Sequence, residues 1–406
     1  MKTKLYPSIR FSSYVEEWTI QKFKDYTVKT GKKNSHNENY PAYSVSNKLG
    51  LVSQTEQFDG SRLENLSKES YKFVEPNEFA YNPARINVGS IAFNNLSETV
   101  LVSSLYVVIK MSTKIDNEYI LQYIKSPIFN YEVKRNTEGS VREYLFYENF
   151  KNIKFPLPSA KEEQIKIGSF FKSLDETISL HQQELEALKQ TKQGFLQKVF
   201  PAEGYFKPEI SFSNVQETWD LKSLNDIATY RRGSFPQPYG NPEWYDIENG
   251  MPFIQVVDVG KSLKLNSDTK QKISKLAQPK SVFADKGKVL VTLQGSIGRV
   301  AITQYPAYVD RTLLIFESYK IPIDDRFFAY SIQNKFETER HKAPGGTIKT
   351  ITKEALSKFE IPVPSFETQQ KIGVFFNNID EIIELKEQEL EALKETKKGF
   401  LQKMFI

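Results

Sequence analysis

Between Lys166 and Phe200 the apolar positions recur alternately four and three residues apart: Ile167, Phe171, Leu174, Ile178, Leu185, Leu188, Phe195 and Val199, with His181 and Lys192 as polar breaks. That spacing predicts one long amphipathic helix whose apolar seam is flanked by charged residues. The pattern returns near the end of the chain as Ile372, Phe376, Ile379, Ile383, Leu390, Leu393, Phe400 and Met404, with Lys386 and Lys397 at the matching breaks. Aligned without gaps, Lys166–Phe200 and Lys371–Phe405 are identical at 24 of 35 positions. A helix is written twice.

The repeat reaches further, and repeats of this kind decide the architecture. Phe155-Pro156-Leu157-Pro158-Ser159 matches Ile361-Pro362-Val363-Pro364-Ser365, and the entry PSIRFSSYVEEW (Pro7–Trp18) matches PEISFSNVQETW (Pro208–Trp219). Between these frames lie two divergent stretches, Thr19–Lys154 and Asp220–Glu360. They carry β-branched and aromatic runs, Thr99–Lys110 and Lys288–Thr292, with turn signals at Asn94-Asn95, Asn249-Gly250 and Gly345-Gly346. Short helical patterns intervene at Asp116–Lys125 and Asp324–Lys335. A mixed α/β (α+β) class follows. The expected order is a first globular domain over 1–154, a first helical spacer segment over 155–204, a second domain over 205–360 and a second spacer segment over 361–406.

A seam this long needs a partner, and each half supplies one helix. The two are expected to pack antiparallel as a coiled coil, a rod of about 55 Å at the ordinary helical rise. Pro201 and Gly204 follow the first helix and stop it.

Composition narrows the chemistry. No run approaches 18 apolar residues, so no membrane span is expected, and the start MKTKLYPSIRF has no apolar core of a secretory signal. A cytoplasmic protein is the plain expectation. With no cysteine and three scattered histidines (His36, His181, His341), neither thiol catalysis nor a Cys- or His-built metal site is expected. The net charge of +5 permits a nucleic-acid partner without requiring one. Asn82-Pro83-Ala84-Arg85 and Asn241-Pro242-Glu243-Trp244 share only two letters with a base-holding methyltransferase loop. Gly295-Ser296-Ile297-Gly298 reads as a turn, and no phosphate-binding G-x-x-x-x-G-K-[ST] occurs. No catalytic residue, metal or cofactor is expected.

The paired entry motifs, the P-x-P segments leading into EEQIKIGSFF and TQQKIGVFF, and the two LEALK…KGFLQK helix ends together resemble the specificity subunits of type I restriction–modification systems, over nearly the whole chain. Val88-Gly89-Ser90-Ile91 and LQGSIGRV (Leu293–Val300) resemble that family's target-recognition domains. The resemblance implies two domains that each read half of a split double-stranded DNA target. It implies helices that form the spacer and dock two methyltransferase subunits, with motor–nuclease subunits joining the restricting complex. The chain itself would catalyse nothing. The competing expectation is a coiled-coil scaffold with two heads for ligands other than DNA.

Guanine is commonly read by Arg or Lys and adenine by Asn or Gln. On that basis the candidate DNA-binding positions of the first half are Ser44, Ser46, Asn47 and Lys48, then Arg62, Asn82, Arg85, Lys134, Arg135 and Arg142, all expected in polar loops. In the second half they are Arg231, Arg232 and Ser234, then Gln294, Ser296 and Arg299, then Lys342 and Lys349 around a flexible glycine pair.

Overall fold

The computed structural model describes residues 5–47, 50–54, 67–137, 144–212, 217–342, 356–357 and 359–406, with backbone alone for 340–342. The chain divides into two compact units, Met1–Gln182 with Glu389–Ile406, and Gln183–Gln388.

In the first unit two four-stranded sheets make up most of the head. One runs in the order β2 (Thr27–Lys29), β9 (Val107–Met111), β6 (Glu78–Tyr81), β7 (Ile91–Phe93), with all neighbours antiparallel. The other runs β4 (Gly50–Ser53), β3 (Ala42–Ser46), β8 (Val100–Val102), β5 (Lys72–Val74), and only its β3–β8 pair is parallel. The apolar run Thr99–Lys110 thus becomes two strands parted by a turn at Ser103–Tyr106, because Tyr106 N–H closes on Ser103 O. A separate antiparallel pair, β1 (Thr19–Lys22) with β10 (Lys154–Leu157), joins the entry motif to the P-x-P segment.

The second unit repeats this plan. Its sheets run β12 (Ala228–Arg232), β19 (Leu313–Tyr319), β16 (Val289–Thr292), β17 (Val300–Ile302), and β14 (Gln271–Ile273), β13 (Met251–Ile254), β18 (Ala307–Val309), β15 (Val282–Ala284). Here too a single pair, β13–β18, is parallel, and β11 (Asp220–Ser223) pairs with β20 (Glu360–Val363). The two heads share one topology although their sequences diverge.

Short helices cover the sheets: α1 (Asn117–Ile124), α2 (Pro127–Asn136) and α3 (Tyr147–Phe150) in the first unit, α5 (Leu224–Ile227) and α6 (Asp325–Lys342) in the second. α1 and α6 start where an aspartate caps them. Asp116 Oδ1 accepts from Tyr119 N–H at 2.8 Å, and Asp324 Oδ1 from Phe327 N–H at 2.9 Å. The sequence pattern ends the second of these helices near Lys335, whereas α6 continues to Lys342.

The repeated helices are α4 (Lys161–Val199, 39 residues) and α7 (Phe366–Lys403, 38 residues). Within each unit half of one packs antiparallel on half of the other. In the first unit Phe170 meets Phe400, Phe171 meets Phe405 and Asp175 meets Lys397; in the second Phe195 meets Phe375 and Lys192 meets Asp380. The seam is not helix-on-helix throughout. Ile167 and Phe171 enter the first head's core with Leu401, Met404 and Phe405, beside Trp18, Tyr119 and Tyr123. Leu196, Val199 and Phe200 enter the second head's core with Ile372 and Phe376, beside Trp219, Phe327 and Tyr330. Each helix therefore starts in the core of its own half of the sequence and ends in the core of the other unit. Between these ends Leu174, Ile178, Leu188, Ile379 and Leu393 are half-buried, and Leu185, Ile383 and Leu390 are buried.

The polar breaks have partners. Lys192 Nζ lies 2.5 Å from Asp380 Oδ1, whose other oxygen accepts from Tyr330 of α6 at 2.6 Å. At the equivalent place Lys397 pairs with Asp175, which also accepts from Gln122 of α1 at 3.2 Å. Burial pulls Lys397 below the ordinary lysine pKa, and Asp175 offsets part of that shift; burial, then Asp380, raises Tyr330, which stays protonated. His181 lies 3.5 Å from Glu389, at the edge of the seam.

The shared letters Q-x-K-I-G or Q-I-K-I-G have a physical reason. Gln164 Oε1 accepts from Asp116 N–H and Gln369 Oε1 from Asp324 N–H, both at 3.0 Å, so each glutamine seats the capped start of a head helix. One turn on, a Cβ at Gly168 would stand 2.7 Å from Tyr119 N, and one at Gly373 would stand 2.6 Å from Asp324 Oδ1. Gly194 and Gly399, equivalent to each other, face open space. Alanine is ordinarily favoured over glycine inside a helix by about 1 kcal/mol. We therefore expect Gly194→Ala and Gly399→Ala to raise the thermal midpoint, and Gly168→Ala and Gly373→Ala to lower it. Thermal melts of the four variants check this, and a rise for all four would refute the seating of the head helices.

Candidate nucleic-acid interface

In the second head, backbone contacts gather several strand ends at one edge. Arg231 and Arg232 close β12, because β12 pairs with β19 up to Arg232. The chain then turns at Gly233, where a Cβ would come within 2.2 Å of Val309 O. Only glycine lets the backbone pass there. Ser234 N–H continues the contact to Val309 O at 3.0 Å, which brings this exit against the β18–β19 turn. Leu293 N–H donates to Thr312 O at 2.8 Å, so the Gln294–Arg299 turn between β16 and β17 meets the same β18–β19 turn. Gly295 and Gly298 take positive φ in that turn, and Gly295 faces Val256. Gln294, Ser296 and Arg299 are exposed, and Arg299 reaches Val259 O at 3.4 Å. Arg231 is paired with Glu317 at 2.7 Å, an exposed pair worth about 0–1 kcal/mol and easily exchanged for phosphate.

The first head assembles a similar edge. Ser44 and Ser46 lie in β3, on the face opposite buried Val45, and not in a loop. The hairpin after β3 passes the β6–β7 connection: Ser90 Oγ donates to Val45 O, and Asn47 flanks Gly89. That connection holds Asn82 and Arg85. Asn82 Oδ1 accepts from Ala84 N–H at 3.0 Å, so Asn82-Pro83-Ala84-Arg85 is an Asx turn presenting exposed Arg85. Ser44, Ser46, Asn47, Asn82 and Arg85 are thus brought together. Lys134 and Arg135 are not loop residues: Ser126 and Pro127 start α2 and carry both to its exposed last turn, where Arg135 leans on Tyr131. Lys48, Arg62, Arg142 and Lys349 lie outside the described residues, as does Gly345-Gly346, and Lys342 is placed by its backbone as the end of α6.

Sequence reasoning passed over two groups. One is Lys29-Thr30-Gly31-Lys32-Lys33, which leaves β2 as Arg231–Phe235 leaves β12; the repeat alignment of the divergent parts is too weak to signal it. The other is an open groove in the second head lined by Tyr239, Gln255, Val257, Lys270, Gln271 and Arg311. Its residues are scattered over seventy positions, and only the fold brings them together. Among the described residues no cluster of His, Cys, Asp and Glu could hold a metal ion, and Asn241-Pro242-Glu243-Trp244 is a capped 3-10 turn. These edges offer cations, amides and hydroxyls on rigid strand ends, a surface for phosphates and base edges.

If Arg232 and Arg299 at the second edge touch phosphates, replacing both by Ala should weaken duplex binding. The log–log salt slope should fall by about 0.9 for each lost phosphate contact. Titrations at several salt concentrations check this, and an unchanged slope removes both residues from the interface.

Comparison with known proteins agrees with this architecture. Residues 16–190 and 216–395 match the family model described as the type I restriction modification DNA specificity domain. A Methanocaldococcus jannaschii protein provisionally named the type I restriction enzyme MjaX specificity subunit is 24% identical over 413 residues, covering 95% of this chain and 92% of its own. The type I restriction enzyme MjaVIII specificity subunit of the same organism is 26% identical, covering 75% of this chain and 73% of its own. Among solved structures, the S subunit of a type I restriction-modification system from M. genitalium superposes with a TM-score of 0.60 at 14% identity, covering 99% of both chains; at that identity the likeness concerns the fold. Two matched domains in one chain, on one repeated frame, place it: the chain belongs to the type I restriction modification DNA specificity family.

Proposed function

We propose that this chain is the DNA-specificity subunit of a type I restriction–modification complex, a non-catalytic subunit that chooses a bipartite, asymmetric target. The observation that carries this reading is the pairing of two equivalent frames with two different reading edges. Residues that join head to helix recur pair by pair, Gln164 with Gln369 and Asp175 with Asp380. The exposed strand ends differ: Arg231-Arg232-Gly233-Ser234 in one head, Lys29-Thr30-Gly31-Lys32 in the other. A frame kept constant under changing edges suits one partner bound twice and two words read once each.

The constant partner is the methyltransferase subunit, docked on the long helices. Leu180 of α4 and Leu385 of α7 occupy equivalent positions and are 56% and 64% exposed. Isolated exposed leucines are ordinary, but the same leucine left open on both copies supports one partner surface used twice. Motor–nuclease subunits would join that core from outside this chain.

Mapping methylated bases across the genome with and without this gene tests the reading. One split, asymmetric motif should lose its methylation when the gene is removed. A methylome that does not change would refute the assignment.

A further inference from the structure

Asp310-Arg311-Thr312 joins β18 to β19 at the centre of the second head's candidate edge. The turn is unusually well fixed. Leu313 N–H closes on Asp310 O at 3.0 Å, and Asp310 Oδ1 accepts from Thr312 N–H at 2.8 Å and from the Thr312 hydroxyl. Asp310 Oδ2 accepts the hydroxyl of Tyr239, and Asp310 itself is 2% exposed. Arg311, the next residue, is exposed, with its guanidinium carbon 4.9 Å from the Tyr239 ring centroid. Tyr239 is thus tied at its hydroxyl and supports Arg311 on its face. A guanidinium held by its π-face keeps its in-plane N–H donors free, and among the described residues no ion pair engages them.

The equivalent turn of the first head has the same backbone closure, Tyr106 N–H to Ser103 O at 3.0 Å, between β8 and β9. Ser103-Ser104-Leu105 stands there in place of Asp310-Arg311-Thr312, and Leu105 is 73% exposed. In the shorter link between β2 and β3 the one tyrosine, Tyr40, packs edge-on against Phe73. One turn in one topology therefore presents a braced, forked cation in one head and a serine and an open leucine in the other.

We propose that Arg311, braced by Tyr239 and Asp310, reads a guanine in the half-site of the second head, and that the β8–β9 turn of the first head is built to read no guanine there. Guanine O6 and N7 accept the two parallel donors of an arginine fork, a pairing whose loss costs about 1–3 kcal/mol of base discrimination, or roughly 5- to 150-fold. A serine and leucine offer no such fork; the leucine suits a thymine methyl. The proposal rests on the DNA-specificity reading above and names a residue for it.

The test uses the full chain co-expressed with its methyltransferase subunits, with methylated motifs mapped for wild type, Arg311→Ala and Arg311→Lys. Lysine keeps the charge and removes the fork, and both substitutions are at an exposed site that leaves the core intact. The expected result is relaxation at one G·C position of one half-site in both variants, by about 5- to 150-fold in preference, with the other half-site unchanged. A motif unchanged at every position in Arg311→Ala would overturn the proposal while leaving the DNA-specificity reading standing. So would a uniform loss at all positions that Arg311→Lys restores, since that is a phosphate contact. A wild-type complex that methylates no specific motif would instead remove the reading beneath it.

Discussion

The structure depends on a carboxylate set beneath each of two seam lysines, buried at Asp380 and partly exposed at Asp175. Asp380 sits between Lys192 and Tyr330, and Asp175 between Lys397 and Gln122, so each aspartate ties the partner helix and a head helix to its own. An ion pair shielded from water, as Lys192–Asp380 is, contributes little net stability, because desolvation offsets attraction; removing one of its partners costs about 3–5 kcal/mol because the other is left uncompensated. The partly exposed Asp175 makes the second of the two pairs cheaper to break. Their use is in registry: a polar pair inside an apolar seam fits at one axial alignment and penalises every slip. The pairs are also reciprocal. Residue 175 of one copy meets 397 of the other, and 192 meets 380, which is the pattern of two equivalent surfaces joined isologously within one chain.

From that registry the rest follows. With the helices held, Phe200 and Phe405 are delivered to the core that the opposite half of the sequence opens with Trp219 or Trp18. With Gln164 and Gln369 seating the capped starts of α1 and α6, each head is fixed to its helices by glutamine side chains that accept from backbone N–H groups and do not involve the sheet's surface residues. The sheets can then change their exposed strand ends without disturbing the frame.

The helices were legible in the sequence because a seven-residue period survives thirty residues of noise, and the duplication made the reading twice over. The polar breaks Lys192 and Lys397 were visible, but their partners were not: Asp175 and Asp380 lie off the seam, and Tyr330 and Gln122 come from the divergent heads. The seam's termini misled in one respect, since Ile167, Phe171 and Phe400 are periodic whether they face a helix or a head. At the candidate edges, residue chemistry points to Arg85, Arg231 and Arg299, but the expectation of polar loops fails for Ser44 and Lys134, which stand in β3 and α2. Charged letters carry no period over so few residues, and strand pairing or a Ser-Pro cap decided their places. Tyr239 and Arg311 could not be joined by sequence at all, because seventy residues and a parallel strand pair separate them.

If one frame, used twice, carries two interchangeable readers, exchanging one reader for the other should rewrite the target. A chimera in which Thr19–Lys154 is replaced by a second copy of Asp220–Glu360 tests it most directly. Co-expressed with the methyltransferase subunits, it should methylate an inverted repeat built from the second head's half-site alone. Retention of the original asymmetric motif, or a folded and assembled chimera that methylates no specific motif, would contradict the account.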